Sequence, residues 1–328
     1  MTQLRILSGK QIRAAITMED IIEAMKLAFV ELSTGRPEMP IRAHISIVEP
    51  EGTALFMPSY MKPSEMIGIK TVTLFEKNRN SGLPYIQGMV SLFDGNNGTP
   101  RAVLDGMTIT SLRTGATSGL ATSLLSRKDS KICTIFGAGV QGRTQLEAVC
   151  AVRDINKAII YDAIPVAAER FAREMSVELG VEVVVASSSR EAVKDADVIC
   201  CASISETPVF DDQDLPAGVH INAVGSYKPH VQEVPEEMVI RSRLYVDHRE
   251  SALEETGDLI IPIKKGVLTK EHIVAEIGEV VAGKAQGRSS ESEITFFKTV
   301  GVAVQDLAAA TIILKRAEEL GIGTLVEF

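Results

Sequence analysis

KICTIFGAGVQGRTQLEAV, residues 131–149, is the stretch that decides the fold. An apolar strand runs straight into a glycine turn with the spacing G-x-G-x-x-G at Gly137, Gly139 and Gly142, and a good helix former follows. The glycines alone would say little; this strand–turn–helix context is what makes the pattern a dinucleotide-binding turn. Gly137 permits the tight turn, Gly139 lets backbone approach a pyrophosphate, and Gly142 lets the helix pack closely on the strand. The helix N-terminus, with Val140 and Gln141 in its first turn, then points at the phosphates. The next strand, KAIIYD at 157–162, ends in Asp162, about where a carboxylate should meet the adenosine ribose hydroxyls. Its charge repels a 2′-phosphate, and Ala163, Ile164 and Pro165 follow it with no arginine, which favours NAD over NADP. The alternatives are a mononucleotide or another ligand of such a fold, or a turn that binds nothing.

Downstream the alternation continues. VEVVVAS (181–187), DVICCAS (197–203), HINAVGS (220–226) and RLYVD (243–247) read as strands, and 141–152, 165–179 and 189–195 as helices. Nearly continuous apolar strands joined by helices imply a parallel sheet covered on both faces. Upstream the pattern differs. TMEDIIEAMKLAFVELS (17–33) is an amphipathic helix, with Thr17 and Asp20 spaced as a capping box. IRAHISIV, GTALFMPSY, IGIKTVTLF, YIQGMVSLFD and RAVLDG, between 41 and 106, are short β-branched stretches broken by Gly, Pro and Asn, which implies a mostly antiparallel sheet or partial barrel. Residues 108–126 return to helical spacing, and a last helix over 299–320 lies beyond the parallel-sheet region and is expected to cross back to the first domain. The expected fold is therefore α/β: a Rossmann dinucleotide-binding domain at 127–298, and a discontinuous α+β substrate and dimerisation domain at 1–126 with 299–328.

A chain of 328 residues suits two domains. Its formal net charge of -9 argues against a sequence-independent nucleic-acid binder, which needs clustered cations. No apolar run approaches the ~20 residues of a membrane span, and MTQLRILSGK shows no export signal, so the cytoplasm is expected. Of the 4 cysteines, Cys133 and the Cys200–Cys201 pair lie in apolar runs, and no CxxC spacing occurs; reduced core cysteines are expected, not zinc ligands or disulfides. The 5 histidines are scattered, and no metal site is expected.

Several ordered phrases resemble the ornithine cyclodeaminase/μ-crystallin family over essentially the whole length. They are MPSY (57–60), GIKTVTLF (68–75), GLP (82–84), ITSLRTGATSGLAT (109–122), IFGAGVQGRTQ (135–145), INAVGS (221–226), GEVVAGKAQGR (278–288) and ITFFKTVGVAVQD (294–306). The resemblance implies a homodimer built through the N-terminal β domain and an active site in the cleft between domains. It also implies roles for individual residues. Arg42, Lys70 and Arg113 match the cations that hold the substrate carboxylate. That agrees with chemistry: guanidinium grips a carboxylate in a planar, bidentate manner. Lys70 and Arg113 also sit in otherwise apolar segments, where an unpaired charge is costly unless it faces a cleft. Thr114 and Ser118 would fall near the pyrophosphate. Ala202, Ser203 and Val224 would line the nicotinamide side, and Lys298, Val300 and Gly301 match a phrase that closes over it.

The departure is at Tyr227. Cyclodeaminases carry Val-Gly-x-Asp after the fifth strand, and that aspartate handles the side-chain amine during ring closure. Here the phrase is Val224-Gly225-Ser226-Tyr227, and a phenol with its usual pKa of about 10 cannot replace a carboxylate base near neutrality. Leu55 and Phe56, before the Met-Pro phrase, supply no acid either. The expected activity is an NAD(H)-dependent oxidoreductase on the C–N bond of a small α-amino or α-imino acid: a ketimine or pyrroline-2-carboxylate reductase, or an alanine dehydrogenase. Arg42 and Arg113 would anchor the carboxylate, Lys70 would supply the proton, and Tyr227 would border the substrate. The alternatives are an ornithine cyclodeaminase and a non-catalytic NAD(P)H-binding protein of the μ-crystallin kind.

Overall fold

The computed structural model describes residues 3–35, 37–40 and 42–328; Ile41, which opens the IRAHISIV stretch, lies outside them. The chain begins with β1 (Gln3–Leu7), α1 (Gly9–Ala15), α2 (Met18–Ser33), β2 (Ala43–Ile47), β3 (Gly52–Met61), β4 (Met66–Phe75), β5 (Ile86–Asp94), β6 (Pro100–Asp105) and α3 (Gly106–Leu125). It continues with β7 (Ile132–Phe136), α4 (Val140–Val152), β8 (Lys157–Tyr161), α5 (Pro165–Leu179), β9 (Glu182–Val185), α6 (Ser189–Val193), β10 (Val198–Cys201) and β11 (His220–Ala223). After these come α7 (Glu236–Arg241), β12 (Arg243–Val246), α8 (Arg249–Glu255), α9 (Gly257–Lys264), β13 (Ile273–Glu276), α10 (Ile277–Val281) and β14 (Thr295–Lys298). The chain ends with α11 (Ala303–Glu319) and β15 (Thr324–Glu327). Two compact units result: Met1–Arg113 with Val302–Phe328, and Thr114–Gly301.

The first unit is built on a sheet ordered β15-β1-β6-β5-β4-β3-β2, antiparallel except where β1 lies parallel to β6. β15 and β2 stand at its two ends, so the described sheet is open rather than barrel-like. The alternation of β4 faces Met66, Gly68 and Lys70 inward, as the two-residue period of a strand requires. Helix α11 packs on α2 and across β3, β4 and β5. It lies so close over Gly68 that a Cβ there would come within 2.9 Å of Leu307 Cδ1. At the N-terminus of α2, Thr17 Oγ1 accepts from Asp20 N at 3.3 Å, and the Asp20 side chain reaches back to Thr17 N. The terminal strands β1 and β15 carry no period that a four- or five-residue stretch could reveal.

The second unit holds an eight-stranded sheet ordered β13-β12-β14-β11-β10-β7-β8-β9, and every pairing is parallel. Cys133, Ile135, Ala158, Ile160, Val198 and Cys200 face one apolar layer, which includes Leu146, Val149, Phe171 and Met175 from α4 and α5. Phe136, Ile159, Ile199 and Cys201 face the other layer with Met238, Leu244, Leu259 and Phe296. The adjacent Cys200 and Cys201 therefore point to opposite faces, and all four cysteines carry free thiols. The order turns back between β7 and β10, the place where sheets of this kind bind ligands beyond the strand C-termini.

The division at Arg113/Thr114 falls inside α3, earlier than a boundary at the helix end, because Gly115 lies against α4: a Cβ there would collide with the Thr144 carbonyl. The C-terminus of α3 is capped by two arginines. Arg153 donates to the carbonyls of Thr122 (2.9 Å), Ser123 (3.0 Å) and Arg127 (3.0 Å), and Arg288 to that of Leu125 (2.6 Å). A cation in the last turn both fills orphan carbonyls and complements the helix dipole.

Candidate functional site

In the second unit the glycine turn has the geometry its spacing implies. Gly137 adopts φ 104°, and a Cβ on it would stand 2.6 Å from the Ala202 carbonyl, so a side chain is excluded both by backbone conformation and by the neighbouring strand. A Cβ at Gly142 would collide with the Gly137 carbonyl. Gly139, by contrast, is exposed at the start of α4, and a Cβ there would meet nothing within 4 Å. Val140 beside it is 67% exposed. Open space in front of a 13-residue helix whose first N–H groups lack intrahelical acceptors suits a pyrophosphate. Asp162, just past β8, accepts from Ala138 N at 2.7 Å and from Ile164 N at 2.8 Å. It braces the turn, and its remaining lone pairs are acceptors suited to ribose hydroxyls. Gln141 is half-buried, and Thr114 is buried with its carbonyl accepting from Gln145 Nε2 at 3.3 Å. Ser118 is fully buried on the same helix.

The C-terminal ends of β10, β11 and β14 are tied together by a buried acidic network. Glu233 Oε1 accepts from Ser203 N and Ser203 Oγ, both at 2.7 Å, and Oε2 accepts from Gly225 N at 2.9 Å. Burial pushes the Glu233 carboxyl up to about 7; Lys298 and the Ser203 hydroxyl oppose the shift, and Asp258 adds to it. The Lys298 ammonium is fully buried, 2.9 Å from Asp258 Oδ2. Asp258 Oδ1 also accepts from Glu233 N at 2.7 Å. Asp247, at the end of β12, holds the segment after β14 by accepting from Thr299 Oγ1 (2.6 Å), Val300 N (3.0 Å) and Gly301 N (2.8 Å). Ala202, Ser203 and Val224 lie half-buried at this edge, while Tyr227 is 47% exposed beyond it, with Lys228 Nζ 5.9 Å from its ring centroid.

In the first unit two cations converge on one carboxylate. Lys70 sits in a central strand between Met57 of β3 and Val90 of β5, and is 4% exposed. Its Nζ lies 2.6 Å from Asp306 Oδ2, and Arg113 Nε lies 3.1 Å from Asp306 Oδ1. Gln305 Oε1 accepts from Arg113 Nη1 and from Val302 N, each at 2.9 Å, so the start of α11 and the guanidinium fix one another. Burial lowers the Lys70 pKa to about 8 against the pull of Asp306, and the charges of Arg113 and Arg42 lower it further. For Asp306, burial alone would raise the carboxyl, but Lys70 and Arg113 outweigh it and hold it below the usual range. Arg42 stands half-buried just before β2, close enough for its charge to bear on Lys70. Lys70 and Arg113 thus converge on Asp306 with the Arg42 charge nearby, and cations of this kind suit a carboxylate ligand.

Sequence reasoning singled out the glycine turn, Asp162 and the cations as candidates, and did not single out Asp306, Gln305, Glu233, Asp258 or Asp247. One signal was available: Gln305-Asp306 is a polar pair inside an otherwise apolar, alanine-rich helix, and a buried cation elsewhere requires such a counter-charge.

A wholly parallel sheet with this turn, together with a buried cationic cluster, defines a two-unit α/β protein of the dinucleotide-binding class. The family model for the ornithine cyclodeaminase/mu-crystallin family matches residues 3–321, and the chain belongs to that family. It is 40% identical over 324 residues to the Delta(1)-pyrroline-2-carboxylate reductase of Bacillus cereus, covering 98% of this chain and 99% of that one. The solved structure of the Thermococcus litoralis Delta(1)-pyrroline-2-carboxylate reductase, in complex with NADH and L-proline, is similar at a TM-score of 0.93 and 43% identity, covering 98% of this chain and 99% of that one. An archaeal alanine dehydrogenase dimer with bound NAD is similar at a TM-score of 0.92 and 31% identity, with 100% of both chains covered.

Proposed function

We propose that this protein is an NAD(H)-dependent oxidoreductase that reduces the C=N bond of a small cyclic α-imino acid, of the pyrroline-2-carboxylate type, to the amino acid. The observation that carries the proposal is the Lys70 ammonium: dry, held by Asp306, and poised to give up a proton near pH 8. Imine reduction needs a proton donor of that kind, because the protonated imine is the better electrophile. Arg113 and Arg42 bind the substrate carboxylate, and Lys70 delivers the proton to the imine nitrogen. Asp306 orients Lys70 and favours its charged form. The bound dinucleotide supplies the hydride. Gly137, Gly139 and Gly142 with the first turn of α4, Val140 and Gln141 included, receive its pyrophosphate, with Thr114 nearby. Asp162 takes the adenosine ribose hydroxyls. Ala202, Ser203 and Val224, with the backbone of Lys298, Val300 and Gly301, border the nicotinamide.

Tyr227 offers a phenol where ring-closing relatives need a carboxylate, so it borders the substrate without handling a second amine. An alanine dehydrogenase activity, pyruvate plus ammonia giving alanine, is the second reading, favoured by the likeness to the archaeal alanine dehydrogenase. That structure is of a dimer, and we expect this chain to pair with a second copy. Four free thiols, three of them buried, fit a reducing compartment such as the cytoplasm.

NADH oxidation over a panel of cyclic imino acids and pyruvate with ammonia, beside an ammonia assay on ornithine with catalytic NAD+, tests the proposal. Turnover of a cyclic imino acid with negligible ammonia from ornithine is expected. Robust ammonia and proline formation from ornithine would overturn it. NADH should also bind at least about tenfold more tightly than NADPH, about 1.4 kcal/mol, because Asp162 repels a 2′-phosphate. Equal affinities in a fluorescence titration would contradict that role.

A further inference from the structure

The second unit keeps three carboxylates, Glu233, Asp247 and Asp258, and one ammonium out of water at the C-terminal edge of its sheet. Asp258 and Lys298 form one ion pair, 2.9 Å apart with neither side chain exposed. Glu233 is fully buried, and among the described residues no cation forms an ion pair with it, Lys298 being paired with Asp258 and acting on Glu233 only through its charge. Its partners are neutral donors: the Ser203 N–H and hydroxyl, and the Gly225 N–H. With Glu233, Asp258 and Lys298 ionised, the three carry one net negative charge, and Asp247, held by neutral donors, adds a second; among the described residues no other cation pairs with them. Burying such a charge is costly, so its retention calls for something at that edge that benefits from it. The backbone that Glu233 grips supplies the connection, since Ser203 and Gly225 each lie two residues beyond the ends of β10 and β11.

We propose that Glu233 is a positioning residue for the dinucleotide: it ties the ends of β10 and β11 together, and its uncancelled charge favours the oxidised nicotinamide over the reduced one. The proposal rests on the reading above that this edge borders the nicotinamide. The chemistry is specific to the redox couple. The reduced ring is neutral, and loss of a hydride, two electrons with one proton, leaves the ring a cation. A fixed anion beside it lowers the free energy of the cation and leaves the neutral form nearly unaffected. Hydride donation to the imine is then favoured, and a group that only held the strands in place would affect both redox forms alike.

Glu233 is also set to titrate where the effect can be read. Burial lifts its carboxyl to about 7, and the groups that face it are few: Lys298 from β14, Asp258 from α9, the Ser203 hydroxyl after β10, and the Cys201 thiol, which burial holds far above its usual range and therefore neutral. Above about 7 the carboxylate is charged; as the pH falls through that value it takes up a proton and the preference for NAD+ fades.

The test is the ratio of the dissociation constants of NAD+ and NADH, measured by calorimetry or fluorescence between about pH 6 and about pH 7.5 on the wild-type protein and on Glu233→Gln. In the wild type the ratio should shift toward NAD+ as the pH rises, with a transition near 7. In Glu233→Gln it should be flat and displaced against NAD+ by about tenfold, about 1.4 kcal/mol. The wild-type titration decides the matter even if the variant does not fold. Binding of both forms with a pH-independent ratio would overturn the role of Glu233 while leaving the dinucleotide site intact. Equal weakening of both forms in Glu233→Gln with the wild-type transition kept would reduce it to a structural brace. Binding of neither form to the wild type would overturn this inference together with the function it rests on.

Discussion

At Lys70 burial outweighs the Asp306 carboxylate, and the neighbouring guanidinium charges reinforce it, so the ammonium loses its proton near pH 8 instead of above 10. As the proton donor it must be charged. The kcat/KM for imine reduction should therefore be full below about 8 and decline above it. Asp306→Asn removes a carboxylate that raises the Lys70 pKa, so the declining limb should move to lower pH by about one unit or more. A limb that stays in place would mean another group gives the proton. Arg113→Ala should lower kcat/KM by about a hundredfold, about 2.7 kcal/mol, with NADH affinity nearly unchanged because the glycine turn lies on other elements. Joint loss of turnover and NADH binding would mark Arg113 as structural. The two cations were legible in the sequence because charge in an apolar strand or helix needs a purpose. Their partner was not: Asp306 lies 193 residues from Arg113, and only the fold brings α11 over β4.

Among the elements, the turn between β7 and α4 was the most legible, because each glycine answers a separate steric demand. Gly139 allows those demands to be separated from function. Its φ of −81° suits any residue and a Cβ there meets nothing, so Gly139→Ala should leave the melting temperature unchanged or slightly raised. The same methyl intrudes on the space assigned to the pyrophosphate, and NADH affinity should fall at least about tenfold. Unaltered NADH binding in a folded Gly139→Ala protein would show that phosphate does not approach there. The strands β13 and β14 escaped the reading for a physical reason. Length is not the reason, since β9 to β12 are as short; β13 stands at the end of the sheet, and β14 enters it between β11 and β12 out of chain order, so the alternation of strand and helix along the chain does not announce them. Glu233 in the loop before α7, Asp247 just past β12 and Asp258 in the first turn of α9 were hidden because no local pattern tells that an acid folds inward.

At the scale of the whole molecule, the chain leaves the first unit within α3, builds an all-parallel sheet, and returns to the first unit as α11. The return matters chemically because Gln305 and Asp306, its first buried polar residues, complete the cationic cluster begun by Lys70 and Arg113. The two-unit organisation and the parallel sheet were readable from the change in hydrophobic period near residue 128, whereas which amino or imino acid is turned over depends on pocket contacts that pattern does not encode. The proposed reaction makes one demand that no binding protein shares: a hydride must pass from the reduced dinucleotide to the α-carbon and remain in the product, with one NADH consumed per turnover, whereas a cyclodeaminase returns to the α-carbon the hydride it first removed and consumes none. Pyrroline-2-carboxylate should therefore be incubated with NADH carrying deuterium at the transferable C4 position, and the product analysed by mass spectrometry and NMR. Proline bearing a single deuterium at its α-carbon is the predicted result; unlabelled proline, or NADH left unoxidised across the imino-acid panel, would contradict it.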